Sequence, residues 1–157
     1  MRIKSLLSLV YSHYVRFFLC FLPDSPLTMR FRGWLYSFAM KKCGRDFQVS
    51  STAILRGLER IECGNNVYIG PNSYVMAREA IYIGSEVLIA MNVVIVDGNH
   101  GKNEQTNSYR YKRGSARKIT IGKGAWVAAN SVVTAGAIID EGALVKPCTV
   151  VRRSDNI

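Results

Sequence analysis

The chain has 157 residues, of which 48% are hydrophobic, and a formal net charge of +10. This size supports one domain with a substantial core and leaves no room for a second core beside the repeat described below. The basic excess is confined to two stretches: residues 1–48 hold eight Lys or Arg against two acids, and residues 97–118 hold six against two. We therefore expect anionic partners, such as phosphates, acidic glycans or a phospholipid surface, whereas the sequence contains no nucleic-acid-binding module.

The N-terminal segment, residues 1–22, contains an apolar and aromatic run that is interrupted by His13 and Arg16. The run is shorter than the roughly 20 apolar residues that a membrane-spanning helix needs, and it lacks the small-residue cleavage site of a signal peptide. We predict a helix with two compatible interpretations. It caps the open first turn of the repeat that follows, or it lies on the inner face of a membrane with Arg2, Lys4 and Arg16 near the headgroups.

Two prolines, Pro23 and Pro26, end this run because a helix interior does not tolerate them. Residues 31–42 are predicted to form a second short helix that leads into the repeat. We therefore assign residues 1–45 to an N-terminal helical segment and residues 46–157 to the repeat.

From residue 46 onward the dominant pattern is a repeat of six residues. From Ile121 to Val151 a branched aliphatic residue occupies every sixth position, and the residue two places earlier is small in all hexads but the first. A period of six fits neither an amphipathic helix nor a long alternating strand. Because residues i and i−2 share a face in a strand, each hexad gives a short strand with one large and one small inward side chain. Three such strands and three corners form one triangular coil, and stacked coils bury a continuous core, as in β-helices of hexapeptide repeats.

The repeat continues upstream with interruptions. Inward positions are eight residues apart at 55→63 and 75→83, and after Ile95 the chain makes an excursion loop, residues 97–118, before it rejoins the pattern at Ile119. Assigning three faces in rotation predicts three inward columns: Ile83, Ile121 and Ile139; Ile89, Val127 and Val145; Ile95, Val133 and Val151. All three interruptions then lie at one edge. We expect this edge to carry the function, and the alternative is a solvated corner that merely tolerates insertions.

The excursion loop carries His100, one of two histidines in the chain, between Gly98 and Gly101. An imidazole with a reference pKa of about 6.5 can accept a proton from a hydroxyl at neutral pH. We therefore interpret His100 as a candidate general base whose tautomer Asp97 or a backbone carbonyl would hold; a structural histidine is the alternative. Two histidines exclude a three-histidine zinc centre, and the four cysteines show no paired ligand spacing. We predict no metal site and a cytoplasmic location.

Three runs together carry a family likeness. Residues 83–93 read Ile-Gly-Ser-Glu-Val-Leu-Ile-Ala-Met-Asn-Val, residues 121–127 read Ile-Gly-Lys-Gly-Ala-Trp-Val, and residues 150–154 read Val-Val-Arg-Arg-Ser. They resemble the left-handed β-helix acyltransferases, specifically the sugar O-acetyltransferases that act on galactosides, maltose and bacterial surface polysaccharides. The first run is similar to the coil that leads to the catalytic histidine of that family, at a matching distance from His100. The resemblance covers about residues 45–154 and implies an all-β, left-handed parallel β-helix of hexapeptide repeats with an N-terminal α-helical segment.

The resemblance implies transfer of an acetyl group from acetyl-CoA to a hydroxyl. His100 matches the general base, which deprotonates the acceptor hydroxyl so that it attacks the thioester directly. The backbone N–H of Ala129 matches the donor that stabilises the oxyanion. Trp126 is expected to pack beside the pantetheine arm, or alternatively to lie at a subunit contact.

The resemblance further implies a homotrimer with CoA running along the coil between subunits. Five consecutive outward positions near the end of the repeat agree, because all of them are apolar and their burial against other subunits is expected: Trp126, Val132, Ile138, Leu144 and Val150. Arg152 and Arg153 could meet the CoA phosphates. Lys146 is a further candidate for that contact, or alternatively a solvated corner charge. Pro147 follows it where the family has a residue with an N–H, which puts part of the CoA track in doubt.

Acceptor binding is assigned to Arg78, Glu79, Asn92 and Asp97. Sugar acetyltransferases place an acidic residue in the insertion at residues 76–80, where this chain has Arg78-Glu79. Other basic residues lie along the same edge: Arg56, Arg60, Arg110, Lys112, Arg113 and Arg117. A basic edge favours an acidic or phosphate-linked glycan as acceptor, and the alternative is that these arginines serve solubility.

Two functions from different classes follow. The first is an O-acetyltransferase that acts on a sugar hydroxyl of a bacterial surface polysaccharide or its precursor, with N-acetylation of an amino sugar as a close variant. The second is a non-catalytic hexapeptide-repeat scaffold that binds partners or membrane through its basic segments. The loop around His100 and the position of Trp126 favour the first.

Overall fold

In the computed structural model, which describes residues 3–153, two helices precede a coil of fifteen short strands. Helix α1 spans Ile3–Leu19 and helix α2 spans Pro26–Ser37. One turn of 3-10 helix, Leu58–Arg60, lies between strands of the first and second coils.

The strands form three parallel sheets of five strands, one sheet for each face of a triangular coil. The first sheet contains Lys42–Cys43 (β1), Ile61–Cys63 (β4), Ile81–Ile83 (β7), Ile119–Ile121 (β10) and Ile138–Ile139 (β13). The second contains Gln48–Val49 (β2), Tyr68–Ile69 (β5), Leu88–Ile89 (β8), Trp126–Val127 (β11) and Leu144–Val145 (β14). The third contains Ile54–Arg56 (β3), Tyr74–Met76 (β6), Val94–Val96 (β9), Val132–Val133 (β12) and Val150–Val151 (β15).

The inward side chains stack in the three predicted columns. Ile121 is in register with Ile83 and Ile139, and the other two columns are paired in the same way across β8, β11 and β14 and across β9, β12 and β15. All nine residues of the columns are at most 1% exposed. Burial of each such side chain contributes about 1.5–3 kcal/mol, so the columns are the main source of stability. Cys63 continues the first column and is buried, as predicted, with its Sγ 3.2 Å from that of Cys43 in the preceding coil.

The edge between the third and the first sheet varies in length from coil to coil. The chain crosses it through residues 57–60, 77–80 and 97–118 in successive coils. We call it the insertion edge, and the prediction that all three interruptions share one edge is confirmed. The edge between the second and third sheets keeps tight corners, where Asn72, Asn92 and Asn130 adopt left-handed conformations with φ of 57°, 57° and 60°. We call it the asparagine edge.

Both helices pack on the first coil. Helix α1 lies against β3 and the 3-10 turn, and α2 lies against β2. Helix α1 buries Ser8, Ser12 and Val15, and the Ser12 hydroxyl donates to the Leu55 carbonyl at 2.5 Å. This packing agrees with the capping interpretation of the N-terminal segment, of which residues 1 and 2 lie outside the described part of the chain.

The second helix was predicted at residues 31–42, and both of those ends are wrong. Ser25 caps the helix at its true start, because its side chain accepts the Thr28 N–H while the Thr28 side chain accepts the Ser25 N–H. Pro26 at the first helical position costs no hydrogen bond there, so it starts the helix rather than ending the preceding run. Lys42 already belongs to β1, so the coil begins inside the segment that was assigned to the helices.

A buried arginine joins the helices to the coil. The Arg32 side chain is 1% exposed, and its guanidinium donates to the carbonyls of Val49 and Leu22, each at 2.8 Å, and to the Asp24 carboxylate at 2.9 Å. Asp24 also accepts the Ser51 N–H at 2.8 Å. Because a charge is tolerated in the interior only when it is paired and hydrogen-bonded, this cluster holds the connection between α1 and α2 on the first coil.

Candidate functional site

A cleft of about 640 Å³ opens on the insertion edge beside helix α1. One wall is α1, through Ser5 and Leu9, and the floor is formed by the corners at residues 57–60 and 76–78. His100 lines the cleft from the side of the excursion loop and is exposed to solvent. The predicted general base therefore lies in a concave site on the predicted edge.

Three arginines converge on this cleft. The Arg60 guanidinium is held in place, because it donates to the Ser5 hydroxyl at 2.6 Å and to the Ala77 carbonyl at 3.4 Å. Arg56 donates to the Tyr74 hydroxyl at 3.2 Å. Arg78 is exposed and its guanidinium has no hydrogen bond or ion pair with any residue between 3 and 153. The cleft is therefore electropositive, with one arginine available to an anionic ligand.

A carboxylate lies among these arginines. Glu59 lines the cleft, and its Oε1 is 3.1 Å from the Arg60 guanidinium. Burial by itself would raise the pKa of Glu59, but the hydroxyls of Ser8 and Ser5 and the charge of Arg60 outweigh it, so the pKa lies below its ordinary value. Glu59 is therefore ionised at neutral pH and balances part of the basic charge.

The excursion loop holds His100 through a short antiparallel ribbon. Its two limbs are joined by a bridge between Gly98 and Ala116 and by the Asn99 N–H, which donates to the Ser115 carbonyl at 2.8 Å. The limbs approach so closely that a Cβ on Gly114 would lie 1.5 Å from the Asn99 carbonyl oxygen. Only glycine fits there, and the ribbon positions the imidazole at the mouth of the cleft.

Asp97 does not bind an acceptor or hold the imidazole, contrary to the prediction. Its side chain is 0% exposed. One carboxylate oxygen accepts the N–H of Arg78 at 2.7 Å, and the other accepts those of Glu79 and Ala80 at 2.7 and 2.9 Å. Asp97 therefore ties the 77–80 corner to the strand end from which the loop with His100 departs, and its role is to position the edge.

Arg78 and Glu79 lie where the prediction placed them, exposed on the insertion edge. Both also line a neighbouring cleft of about 560 Å³ whose other charged residues include Lys41 and Arg60. Arg78 therefore lines both clefts, whereas Glu79 lines only the neighbouring one, which His100 does not line.

The remaining predicted residues lie elsewhere on the coil. Asn92 is on the asparagine edge, where its amide donates to the Asn130 side chain at 3.1 Å, so within one chain it does not join Arg78 and Glu79. Ala129 is at the same edge, and its N–H has no hydrogen-bond acceptor among residues 3–153. Lys146, also at this edge and exposed, offers its carbonyl to the Ser131 hydroxyl at 3.0 Å.

Trp126 and the two C-terminal arginines complete the predicted set. Trp126 points outward from the second sheet, 48% exposed, between Leu88 and Leu144 in register. Arg152 and Arg153 follow β15 at the insertion edge, and both are exposed. The aliphatic stem of Arg153 lies over Gly136, where the Cβ of any other residue would come within 3.3 Å of it. Residue 154, the last of the run used for the resemblance, lies outside the described residues.

The predicted residues therefore fall on two edges of one coil. His100, Arg78 and Glu79 are on the insertion edge, whereas Ala129 and Lys146 are on the asparagine edge, and the apolar outer face of the third sheet separates them. A single chain does not bring the two groups together. They can meet only if a second copy places its asparagine edge beside the insertion edge of the first.

Sequence reasoning missed the wall formed by α1. Ser5 and Arg60 are 55 residues apart in the sequence, and no local sequence pattern predicts the hydrogen bond between them. It also missed Glu59, although the eight-residue step that contains it already marked this corner as unusual. No group of three or more His, Cys, Asp or Glu side chains that could hold a metal ion occurs within the described residues.

Comparison with known proteins agrees with the repeat and the fold. The family model for the bacterial transferase hexapeptide (six repeats) matches residues 118–153, and that for the hexapeptide repeat of succinyl-transferase matches residues 61–96. Both models describe hexapeptide repeats, in agreement with the six-residue period of these two segments. It is 31% identical over 99 residues to WbbJ of Escherichia coli (strain K12), whose name describes a lipopolysaccharide biosynthesis O-acetyl transferase; the match covers 57% of this chain and 50% of WbbJ. The chain thus spans about half the length of that curated relative.

Solved structures show the same fold. A hexapeptide-repeat acetyltransferase from Vibrio cholerae O1 biovar eltor, complexed with acetyl-CoA, is 16% identical with a TM-score of 0.76, and the match covers 94% of this chain and 77% of that protein. A maltose O-acetyltransferase from Clostridium difficile 630 is 18% identical, with a TM-score of 0.68 and coverage of 95% and 83%. A galactoside acetyltransferase in complex with coenzyme A is 17% identical, with a TM-score of 0.68 and coverage of 96% and 78%. The predicted left-handed β-helix is confirmed.

Proposed function

We propose that this protein transfers an acetyl group from acetyl-CoA to a hydroxyl of a sugar, in a bacterial surface polysaccharide or its precursor. The observation that carries the proposal is the position of His100, fixed by a ribbon at the mouth of an electropositive cleft on the elaborated edge of the coil. The names of the relatives, which include O-acetyltransferases and structures with CoA bound, support the same reaction.

His100 acts as the general base. Its neutral imidazole accepts the proton of the acceptor hydroxyl while the oxygen forms a bond to the carbonyl carbon of the thioester. The carbonyl π electrons move to oxygen, and the resulting oxyanion accepts a hydrogen bond from the free N–H of Ala129 of a neighbouring copy. When the oxyanion collapses, the C–S bond breaks, and the imidazolium returns its proton to the departing thiolate. The products are the sugar ester and the free CoA thiol.

The division of the site over two edges supports a homotrimer. Apolar residues cover the outer faces of the last two coils, and four of them are 45–50% exposed in the single chain: Trp126, Ile138, Leu144 and Val150. Contact between copies would bury these side chains and bring the Ala129 edge of one subunit next to the His100 edge of another. In that arrangement Trp126 flanks the pantetheine arm, and Arg152, Arg153 and Lys146 meet the CoA phosphates.

The acceptor is an acidic or phosphate-linked glycan. Arg56, Arg60 and Arg78 line the same cleft as His100, and the Arg78 guanidinium lacks a partner within residues 3–153. Glu59 balances part of this charge through Arg60, but a neutral disaccharide would leave Arg56 and Arg78 without a counter-charge. A phosphate or carboxylate would accept charge-assisted hydrogen bonds from them. Acetyl-CoA is a cytoplasmic metabolite, so the reaction takes place in the cytoplasm.

The test is mass spectrometry of surface glycans from host cells that produce the wild type, His100→Ala or His13→Ala. Both histidines are exposed, so the two substitutions are matched, and only His100 lies in the cleft. We expect acetyl esters with the wild type and His13→Ala and a loss of about 100-fold or more with His100→Ala. Undiminished acetylation by His100→Ala would refute the mechanism.

The second candidate, a non-catalytic scaffold, is distinguished by a thermal-shift assay with acetyl-CoA. A ligand that binds the native state raises the melting temperature, and at 100 times its Kd it stabilises by about 2.7 kcal/mol. The enzyme is expected to show such a shift, in the wild type and in His100→Ala alike. A scaffold would show none.

A further inference from the structure

The outward face of helix α1 is largely apolar and aromatic, with His13 among its rings. The residues on the side opposite to Ser8, Ser12 and Val15 are large and exposed: Ile3, Leu6, Leu7, Val10, Tyr14, Phe17, Phe18 and Phe21 just past the helix end. Their exposed fractions run from 42% to 83%. A soluble monomer rarely exposes a contiguous apolar stripe of this size, so the face is a docking surface.

Helix α2 extends this surface. Its exposed stripe consists of Leu27, Phe31, Trp34 and Phe38, of which the three aromatic rings contact one another at 4.8 and 5.9 Å between centroids. The two helices meet at a seam where the Tyr11 hydroxyl donates to the Leu35 carbonyl at 2.7 Å. Tyr14 and Phe18 follow Tyr11 by three and seven residues. Phe31 lies four residues before Leu35 and Phe38 three residues after it, so both stripes adjoin the seam.

The two helices carry charge of one sign; an acid from outside them, Glu59, lines the groove along α1 and pairs with Arg60. Neither α1 nor α2 contains an Asp or Glu residue. Lys4 lies at the rim of an apolar groove of about 540 Å³ that runs along α1 beside Leu7 and Tyr14, and Arg16 lies on the opposite flank of the helix. An apolar and aromatic face with cations at its margins complements an anionic lipid surface, where the rings enter the interface and the cations meet the headgroups.

The alternative occupant, a second copy of this chain, is disfavoured by charge. Residues 1–48 hold eight Lys or Arg against two acids, so pairing of this helical surface with itself would bring like charges together. Crossing of the bilayer is a separate matter: no helix within residues 3–153 is long and apolar enough to span a membrane. The geometry therefore favours a helix that lies in the plane of the interface, with Ser8, Ser12 and Val15 toward the coil.

We propose that the outward faces of α1 and α2 dock on an anionic phospholipid bilayer. The flank of α1 that carries Ser5 and Leu9 is at the same time the wall of the His100 cleft, so docking places the cleft at the level of the headgroups. The acceptor is then a glycan held at the membrane through a phosphate-linked lipid, whose phosphate lies near Arg56, Arg60 and Arg78. This last step rests on the proposed acetyltransferase function, whereas the docking itself does not.

The test is co-sedimentation of the full-length protein with vesicles. One set contains phosphatidylcholine alone, and the other contains phosphatidylcholine and phosphatidylglycerol in equal parts. We expect binding to the second set that weakens as salt is raised, since salt screens the cationic rim. Tyr14→Glu is expected to lower the partition coefficient at least about tenfold, which is about 1.4 kcal/mol. The matched control is Tyr109→Glu, which changes a tyrosine of the excursion loop with similar exposure, 58% against 54% for Tyr14, and should leave binding unchanged.

Several outcomes would overturn the docking surface: no binding by the wild type, equal loss in both variants, or self-association of the wild type that Tyr14→Glu abolishes without any vesicle binding. Phe21→Glu, which alters a side chain beyond the end of α1, serves as a second variant if Tyr14→Glu does not fold. Failure of the acetyltransferase proposal is recognised separately, because it removes the thermal shift with acetyl-CoA in the absence of vesicles. A protein that binds acetyl-CoA but not vesicles refutes only the docking.

Discussion

Asp97→Asn tests whether the buried carboxylate holds the insertion edge together. In the wild type one carboxylate oxygen accepts the N–H of Arg78, and the other accepts the N–H groups of Glu79 and Ala80. An asparagine retains one carbonyl oxygen, and its best orientation keeps the pair of donors and turns its NH₂ group toward the N–H of Arg78. Two donors then face each other in a site without access to solvent.

The expected cost follows from these contacts. A hydrogen bond to a charged group contributes about 1.5–3 kcal/mol, and a buried N–H left without a partner costs about 1–3 kcal/mol. Because the two terms overlap and the remaining bonds lose their charge, we expect the free energy of unfolding to fall by about 2–4 kcal/mol. His100 follows three residues later, so acetyl transfer should fall more than about tenfold even where the variant is fully folded, since small displacements of a base cost much of the rate.

The measurement is urea unfolding by tryptophan fluorescence at fixed protein concentration, with Asp140→Asn as the control. Asp140 is an exposed corner carboxylate, and its loss should change the free energy of unfolding by no more than about 0.5 kcal/mol. The reasoning is refuted if Asp97→Asn is also within about 0.5 kcal/mol of the wild type. In that case the three N–H groups would be satisfied without the carboxylate charge.

Three further predictions concern other parts of the chain. Arg32→Met leaves Asp24 without its buried partner and should lower the free energy of unfolding by about 3–5 kcal/mol in the same urea assay; a loss below about 1 kcal/mol would mean that the cluster is hydrated. Burial alone would raise the pKa of Asp24, but the Ser50, Ser51 and Arg32 contacts hold it below its ordinary value, and that of Glu59 is lowered too. The stability that these carboxylates contribute is therefore complete above their pKa in the unfolded chain, about 4, and is lost as the pH falls through their pKa values in the folded protein. A melting temperature that does not fall on acidification through that range would contradict this. Gly114→Ala should force apart the limbs of the loop and speed limited proteolysis within residues 97–118, with little change in melting temperature.

The coil was predictable because its signal is local and repeated. Each hexad specifies one short strand, and errors in one hexad are corrected by its neighbours, so the columns through Ile83, Ile89 and Ile95 and the shared edge were all predicted correctly. The start of α2 was not, because Pro26 was interpreted as a breaker although a serine immediately before it makes it a first-turn residue.

The roles of single polar residues were less predictable. Asp97 looks like a candidate for ligand or imidazole contact in the sequence, since it lies three residues before His100. Its true partners are backbone N–H groups seventeen or more residues away, and which ones they are depends on the register of two coils. The burial of Arg32 was not predicted, because an arginine in an amphipathic helix is ordinarily exposed to solvent and only the assembled fold buries it.

The insertion edge can vary in length without disturbing the core for a physical reason. Each coil is stabilised by strand pairing on its three faces and by its inward side chains. Neither depends on the path of the chain between the third and the first sheet. A longer corner at this edge loses hydrogen bonds to the next coil. Between the second and third coils, Asp97 replaces them by accepting three N–H groups from the 77–80 corner. A carboxylate at this position thus allows a long loop to leave the coil from a fixed base, and it helps to hold His100 at a defined place beside the cleft.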